Sequence, residues 1–138
     1  MGLAGFLFSM TKILNKFPKW LPAFVLMATI FAFSNTPSTS LPNFNAADFI
    51  IKKSAHMLGY ALLALTYLHA FDNNIGKWKV VWLLAILYAA SDEFHQSFVP
   101  GRGPSIIDVG IDTIGAGLGL LWAKKNDFPN KEEDVVIP

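Results

Sequence analysis

The amino-acid sequence predicts an all-α membrane protein with four transmembrane helices and both termini on the cytoplasmic side, preceded by an amphipathic helix at the membrane surface. Of the 138 residues, 53% are hydrophobic and 15% are charged. The hydrophobic residues are concentrated in long runs that are apolar on all sides, whereas the helices of a soluble bundle carry one apolar stripe. Lysine and arginine are unevenly distributed between the two ends of these runs, which indicates the orientation.

The first 17 residues predict the amphipathic helix. Their apolar residues recur at spacings of three and four, and Lys12 and Lys16 lie on the opposite face. Such a helix fits the membrane surface, with its lysines toward the headgroups. A signal peptide is the competing interpretation. It is weaker because the lysines follow the apolar part instead of preceding it.

The four predicted spans cover residues 18–34, 54–71, 78–96 and 105–123. The first of them is short for a span of about 20 residues. Residues 34–43 are a loop by composition, and residues 100–104 predict a turn, since two prolines and two glycines in five residues cannot continue a helix. We therefore expect a single transmembrane domain over residues 1–125 and a polar cytoplasmic tail over 126–138.

The orientation follows from the positive charges at the two ends of the spans. Eight lysines fall on one side: Lys12, Lys16, Lys19, Lys77, Lys79, Lys124, Lys125 and Lys131. Three positive residues fall on the other: Lys52, Lys53 and Arg102. Because cytoplasmic loops of membrane proteins are enriched in lysine and arginine, the side with eight is predicted to be cytoplasmic.

Three of the predicted spans carry a stripe of polar residues near the outer end. The stripes consist of Lys53, His56 and Tyr60; of Asp92, His95 and Gln96; and of Ser105, Asp108 and Asp112. Arg102 lies in the connecting turn, and Glu93 lies about 100° around its helix from Asp92, so these two carboxylates cannot both point at one centre without local distortion. Polar groups are costly in hydrocarbon, and these stripes therefore predict an outward-facing polar pocket.

The polar residues also form motifs that resemble those of the VanZ-like family. The motifs are Ser34 after the first span, Lys53-x-x-His56-x-x-x-Tyr60, Tyr88-Ala89-x-x-Asp92-Glu93-x-His95-Gln96-x-Phe98-x-Pro100-Gly101-Arg102, and Ser105-x-x-Asp108-x-x-x-Asp112-Thr113-x-Gly115. The resemblance covers roughly residues 30 to 121, and it departs at Asp112, where asparagine is more usual. It implies a small bacterial inner-membrane protein from a family whose founding member is linked to low-level teicoplanin resistance. It implies no established reaction.

One interpretation of these residues is an enzyme that acts on an envelope lipid or a lipid-linked peptidoglycan precursor. The candidate catalytic residues are His95, Asp92, Glu93, Asp108 and His56. We expect His95 to act as the general acid or base, oriented by Asp92 or Asp108. The candidate substrate-binding residues are Lys53, Tyr60, Gln96, Arg102, Ser105 and Asp112. Lys53 and Arg102 suit a phosphate or a carboxylate.

Other interpretations stay open. The same residues suit a non-catalytic binding protein, or a buried ion-pair network that only sets helix register; proton or ion translocation ranks last because the inner halves of the spans offer few polar groups. No metal ligand set is assigned and no cofactor is preferred, although a divalent metal fits His56, His95 and the carboxylates. The expected partners are the lipid bilayer and the envelope lipid or precursor, and the net charge of +1 gives no reason to expect nucleic acid.

Overall fold

The computed structural model describes residues 2–35, 46–103 and 105–126, and within these residues all regular structure is helical. The helices are α1 (Leu3–Leu14), α2 (Leu21–Ser34), α3 (Ala46–Ala70), α4 (Trp78–Gln96) and α5 (Ile106–Lys125), with a short 3₁₀ turn over Ile75–Lys77 before α4. The all-α fold class is therefore confirmed. Most of the predicted loop over 34–43, Pro104 of the predicted turn and all of the predicted tail except Asn126 lie outside the described residues.

The helix boundaries differ from the predicted ones at three places. The first helix ends at Leu14 and not at residue 17, and α2 begins at Leu21, after a turn in which the amide of Leu21 donates to the carbonyl oxygen of Pro18 at 2.9 Å. Helix α3 begins eight residues before the predicted start at 54. Lys52 and Lys53 lie within this helix, since charged residues do not by themselves end a helix.

Helix α3 is the centre of the bundle and contacts α2, α4 and α5. Helix α3 packs closely against α5, because two glycines of α5 face the α3 backbone. A Cβ atom on Gly119 would lie 2.6 Å from the carbonyl oxygen of Ala61, and one on Gly115 would collide with the backbone of Met57. The four-residue spacing of these glycines predicts close helix packing, and the structure confirms it.

Small and aliphatic side chains fill the space between the four helices of the bundle. The buried residues of this core are Ala23, Leu63, Ala64, Leu68, Val81, Ala85, Ala89, Ala116, Leu120 and Ala123, together with the aromatic rings of Tyr60 and Tyr67. The many alanines allow close approach of the helix backbones, so that a thin core suffices for four helices.

The outer surface of the bundle is also apolar. Leucine side chains are exposed on all four helices, for example Leu58 at 63%, Leu87 at 57% and Leu121 at 64%, and Phe24 on α2 is exposed at 60%. An apolar surface of this extent is typical of a region covered by lipid or by another protein. Helix α1 likewise leaves its apolar residues Leu3, Phe6, Met10 and Ile13 exposed.

By length and composition, α5 is the one helix of the described chain that suffices for a membrane span, and α2 is apolar but shorter. Helices α3 and α4 are long enough, but they contain the histidines, tyrosines and carboxylates of the polar stripes. These side chains lower the mean hydropathy of both helices. Whether α3 and α4 are also spans therefore depends on whether their polar side chains face the other helices or the outer surface of the bundle.

Candidate functional site

Four helix ends meet at one end of the bundle, where α2 and α4 finish and α3 and α5 begin. Because consecutive helices are antiparallel, the last turn of α4 lies beside the first turns of α5 and the last turn of α2. Side chains at this end bond between helices, as the contacts below show. We call the following residues the polar end cluster: Ser34, Lys53, His56, Tyr60, Asp92, Gln96, Asp108 and Asp112.

Asp92 lies at the contact between α2 and α4 and is 3% exposed. Its Oδ2 accepts a hydrogen bond from Oγ of Ser34 at 2.7 Å and a longer one from Nε2 of Gln96 at 3.3 Å. Its other oxygen, Oδ1, is buried without a hydrogen-bond partner among the described residues. Asp92 thus connects two helices through Oδ2, while Oδ1 accepts no hydrogen bond from the described residues.

Two pairs of oppositely charged residues connect α3 to α5. Lys53 donates to Oδ1 of Asp108, and both side chains are partly exposed. One turn deeper, Nδ1 of His56 lies 3.5 Å from Oδ1 of Asp112, which is 2% exposed. At that distance the contact is at most a weak hydrogen bond when the histidine is neutral, and it becomes an ion pair when the histidine is protonated. The two pairs form a ladder that runs from the rim of the cluster into the bundle.

Tyr60 continues the α3 stripe one turn below His56 and is completely buried. Its hydroxyl group has no hydrogen-bond partner among the described residues. The ring of Tyr88 lies 6.2 Å from that of Tyr60, and its hydroxyl donates to the carbonyl oxygen of Met27 at 2.5 Å. Tyr88 therefore closes the inner side of the cluster against α2.

Glu93 points away from Asp92, as helix geometry predicts. Its Oε1 accepts a 2.7 Å hydrogen bond from the backbone amide of Ser105, the residue that precedes α5. The side chain is 6% exposed. A carboxylate at this position satisfies a free amide at a helix start and is favoured by the helix dipole. In the structure, Glu93 holds the end of α4 to the start of α5.

His95 has different partners from the ones that we expected. Its Nε2 lies 3.2 Å from Oδ1 of Asn35, and its ring stacks on Phe31 with a centroid distance of 4.4 Å. The expected orienting carboxylates have other partners, since Asp92 bonds to Ser34 and Gln96, and Asp108 bonds to Lys53. The histidine that contacts a carboxylate is His56.

Arg102 lies at the rim of this end of the bundle. Its Nη2 donates to the carbonyl oxygen of Phe33 at 3.4 Å, at the last turn of α2. This contact places a guanidinium group beside the cluster, next to carbonyl groups that a helix end leaves without intrahelical partners.

Three residues near the end of α2 contribute to the site although none of them was among the candidate catalytic or binding residues: Phe31, Ser34 and Asn35. Ser34 belonged to the family motif, but its contact with Asp92 depends on how α2 packs against α4. Its position directly after an apolar run was the available signal. Phe31 and Asn35 gave none, because aromatic and amide side chains are common at helix ends.

A divalent metal has no evident ligand set in the part of the chain that the structure describes. No group of three or more histidine, aspartate or glutamate side chains there could hold a metal ion. His56 and His95 have separate partners, Asp112 and Asn35. The described residues therefore do not fit the metal that the sequence left open.

Comparison with known proteins identifies the family. Residues 3–125 match the family model described as VanZ/LLP1, which covers most of the 138 residues. No curated protein and no solved structure matches the chain. The resemblance seen in the polar motifs is confirmed, and the chain belongs to the VanZ/LLP1 family.

Proposed function

We propose that this protein crosses the bacterial inner membrane four times, with both termini in the cytoplasm, and that its polar end cluster binds the headgroup of an envelope lipid or of a lipid-linked peptidoglycan precursor at the outer face. By this binding it lowers susceptibility to the glycopeptide teicoplanin. The observation that carries the proposal is the cluster itself, in which two buried carboxylates, a partly exposed one, a histidine and a lysine meet at one end of an otherwise apolar bundle.

The apolar exterior supports the four-span arrangement. The polar residues that lower the hydropathy of α3 and α4 make contacts between helices, as Asp92 and His56 do, and the side chains exposed on the same helices include Leu58 and Leu87. Ionisable residues within membrane helices usually face the bundle interior and mark functional sites. The distribution of lysine and arginine supports placing the cluster at the outer face.

The rim of the cluster supports binding of an anionic headgroup. Lys53 and Arg102 lie at this end of the bundle, and the side chain of Lys53 is 29% exposed. A phosphate or carboxylate that displaces Asp108 from Lys53 would accept a charge-assisted hydrogen bond from the lysine. The bulk of a lipid would remain in the bilayer, beside the apolar surface of α3 and α5.

Catalysis is the second candidate function, and one contact favours it. Asp112 lies beside Nδ1 of His56 at 3.5 Å, and a carboxylate at one ring nitrogen orients the other to accept or donate a proton. Such a pair would serve hydrolysis or group transfer at a phosphate or ester. Ion translocation has less support, since Thr66, deeper in α3, donates to the carbonyl oxygen of Leu63 in its own helix.

The first experiment compares cells with and without the protein. We expect the protein to raise the minimal inhibitory concentration of teicoplanin and to change the lipid or muropeptide profile. Asp92→Asn and His95→Ala should abolish both effects at normal protein level and membrane insertion. Asp72→Asn is the matched control, because Asp72 pairs with Lys19 at the opposite end of the bundle, where both side chains are more than half exposed.

Purified protein then distinguishes binding from catalysis. In nanodiscs, a binding protein retains an envelope lipid or precursor unchanged, whereas an enzyme converts it. His56→Ala should remove turnover and leave binding measurable if the histidine acts as an acid or base. Unchanged profiles in cells, together with no retention of any envelope lipid or precursor, would contradict the proposal.

A further inference from the structure

Three oxygen atoms of the polar end cluster are buried without a hydrogen-bond partner among the described residues. They are Oη of Tyr60, Oδ1 of Asp92 and Oδ1 of Asp112, on side chains that are at most 3% exposed. The Asp112 oxygen has only the 3.5 Å contact with Nδ1 of His56, which is too long for a good hydrogen bond. More than about 90% of buried polar groups in proteins are hydrogen-bonded. Three exceptions within one cluster, from three different helices, indicate that a further group contacts them.

The charges of the cluster indicate the sign of that group. The hydrogen-bond partners of Asp92 among the described residues, Ser34 and Gln96, are both neutral. Asp112 is compensated by His56 when the histidine is protonated. Two buried carboxylates therefore face one titratable cation, and a low-dielectric interior makes an uncompensated carboxylate costly. The missing group should be positively charged.

We infer that the three oxygens bind the primary ammonium group of the ligand. This inference rests on the proposed function and specifies which chemical group of the ligand is bound. An ammonium group presents three N–H donors, which matches three acceptor oxygens, and it offsets the uncompensated charge. A quaternary ammonium has no N–H to donate, and a phosphate would be repelled by both carboxylates. Two sources of this chemistry exist in the envelope: the headgroup of an aminophospholipid and the side-chain amine of a peptidoglycan stem peptide.

The first test changes the ligand and leaves the full-length protein unchanged. Binding of phosphatidylethanolamine and of phosphatidylcholine with the same acyl chains is compared by native mass spectrometry and by titration in nanodiscs. A second arm compares a stem peptide that has a free lysine amine with the same peptide acetylated on that amine. We expect at least about tenfold tighter binding of one amine over its matched partner, as loss of a hydrogen-bonded ion pair predicts. The arm that shows the preference identifies the source.

The second test changes the protein. Asp92→Asn removes a charge and Tyr60→Phe removes one hydroxyl group while keeping the ring in the core, and each should reduce the amine preference to about twofold or less. Asp72→Asn, at the opposite end of the bundle, should keep it. Should Asp92→Asn fail to fold, Tyr60→Phe and the ligand comparison still decide the question.

The outcomes separate the inference from the proposed function. If phosphatidylethanolamine and phosphatidylcholine bind equally, and the free and acetylated peptides also bind equally, the protein does not recognise the amine and the inference is wrong, although headgroup binding stands. A preference that survives both substitutions places the amine elsewhere and also overturns it. If no envelope lipid or peptide binds at all, the proposed function fails as well.

Discussion

Asp92 combines a contact between two helices with one of the oxygens on which the proposed ammonium site depends. One oxygen holds α2 against α4 through Ser34, and the other is left without a partner among the described residues. The structural contact orients the carboxylate, and its second oxygen is buried rather than exposed to solvent. A ligand would then find the acceptor already positioned, which reduces the entropy lost on binding.

Removal of the Ser34 hydroxyl tests the structural half of this arrangement. Ser34→Ala leaves Oδ2 of Asp92 with only the longer bond from Gln96, and we expect the free energy of unfolding in micelles to fall by about 1–3 kcal/mol. Ser91→Ala is the control, since Ser91 is exposed and bonds to Tyr88 of its own helix; its effect should stay within about 0.5 kcal/mol. Equal effects of the two substitutions would show that the Ser34–Asp92 bond contributes nothing specific.

At the scale of elements, the contact between α3 and α5 determines the geometry of the cluster. Gly115 and Gly119 bring the α5 backbone against Met57 and Ala61. Three residues before Gly115, Asp112 faces His56 across the same contact, and one turn earlier Asp108 faces Lys53. The separation of the charged pairs therefore depends on glycines that carry no charge themselves.

Substitution of these glycines should disturb stability and ligand binding together. In Gly115→Ala, the added methyl group meets the backbone of Met57, so the helices must separate, and we expect a loss of about 1–3 kcal/mol in the free energy of unfolding. In Gly110→Ala the methyl group meets nothing within 4 Å, and the change should stay within about 1 kcal/mol, the difference in helix propensity.

Measurements on both glycine variants decide whether the close packing matters. Unfolding in micelles gives the stability, and headgroup binding in nanodiscs reports the cluster. If Gly115→Ala and Gly110→Ala behaved alike in both, the α3–α5 contact in the folded protein would be looser than the structure has it.

At the scale of the whole molecule, the orientation in the membrane decides which side the cluster faces. The chain has no cysteine, so a single introduced thiol can be labelled without background. Ser97 and Lys77 are both exposed and lie at opposite ends of α4. In intact cells, Ser97→Cys should react with a membrane-impermeant maleimide, whereas Lys77→Cys should react only after the inner membrane is opened.

The reverse labelling pattern would place the polar end cluster in the cytoplasm, and a ligand in the outer leaflet would then be excluded. Labelling of both thiols from outside would contradict the membrane crossing of α4 between them. Comparable expression and membrane recovery of the two variants are the necessary controls.

Local sequence patterns were sufficient to predict the helices and the end of the bundle at which the polar residues gather. Periodicity, turn residues and apolar runs are local properties, and α4 begins and ends where they predict, at Trp78 and Gln96. Helix geometry also predicted that Glu93 diverges from Asp92. Helix α3 extends eight residues before the predicted span at 54 because a charged pair does not by itself interrupt a helix.

Only the tertiary structure decided which side chains meet. Asp92 bonds to Ser34 instead of orienting His95, and His56 is the histidine that faces a carboxylate. These pairings depend on the rotation and height of each helix relative to its neighbours, and a shift of one residue in a helix turns a side chain by about 100°. Packing at Gly115 and Gly119 sets that rotation between α3 and α5, because a Cβ atom at either position would collide with the α3 backbone.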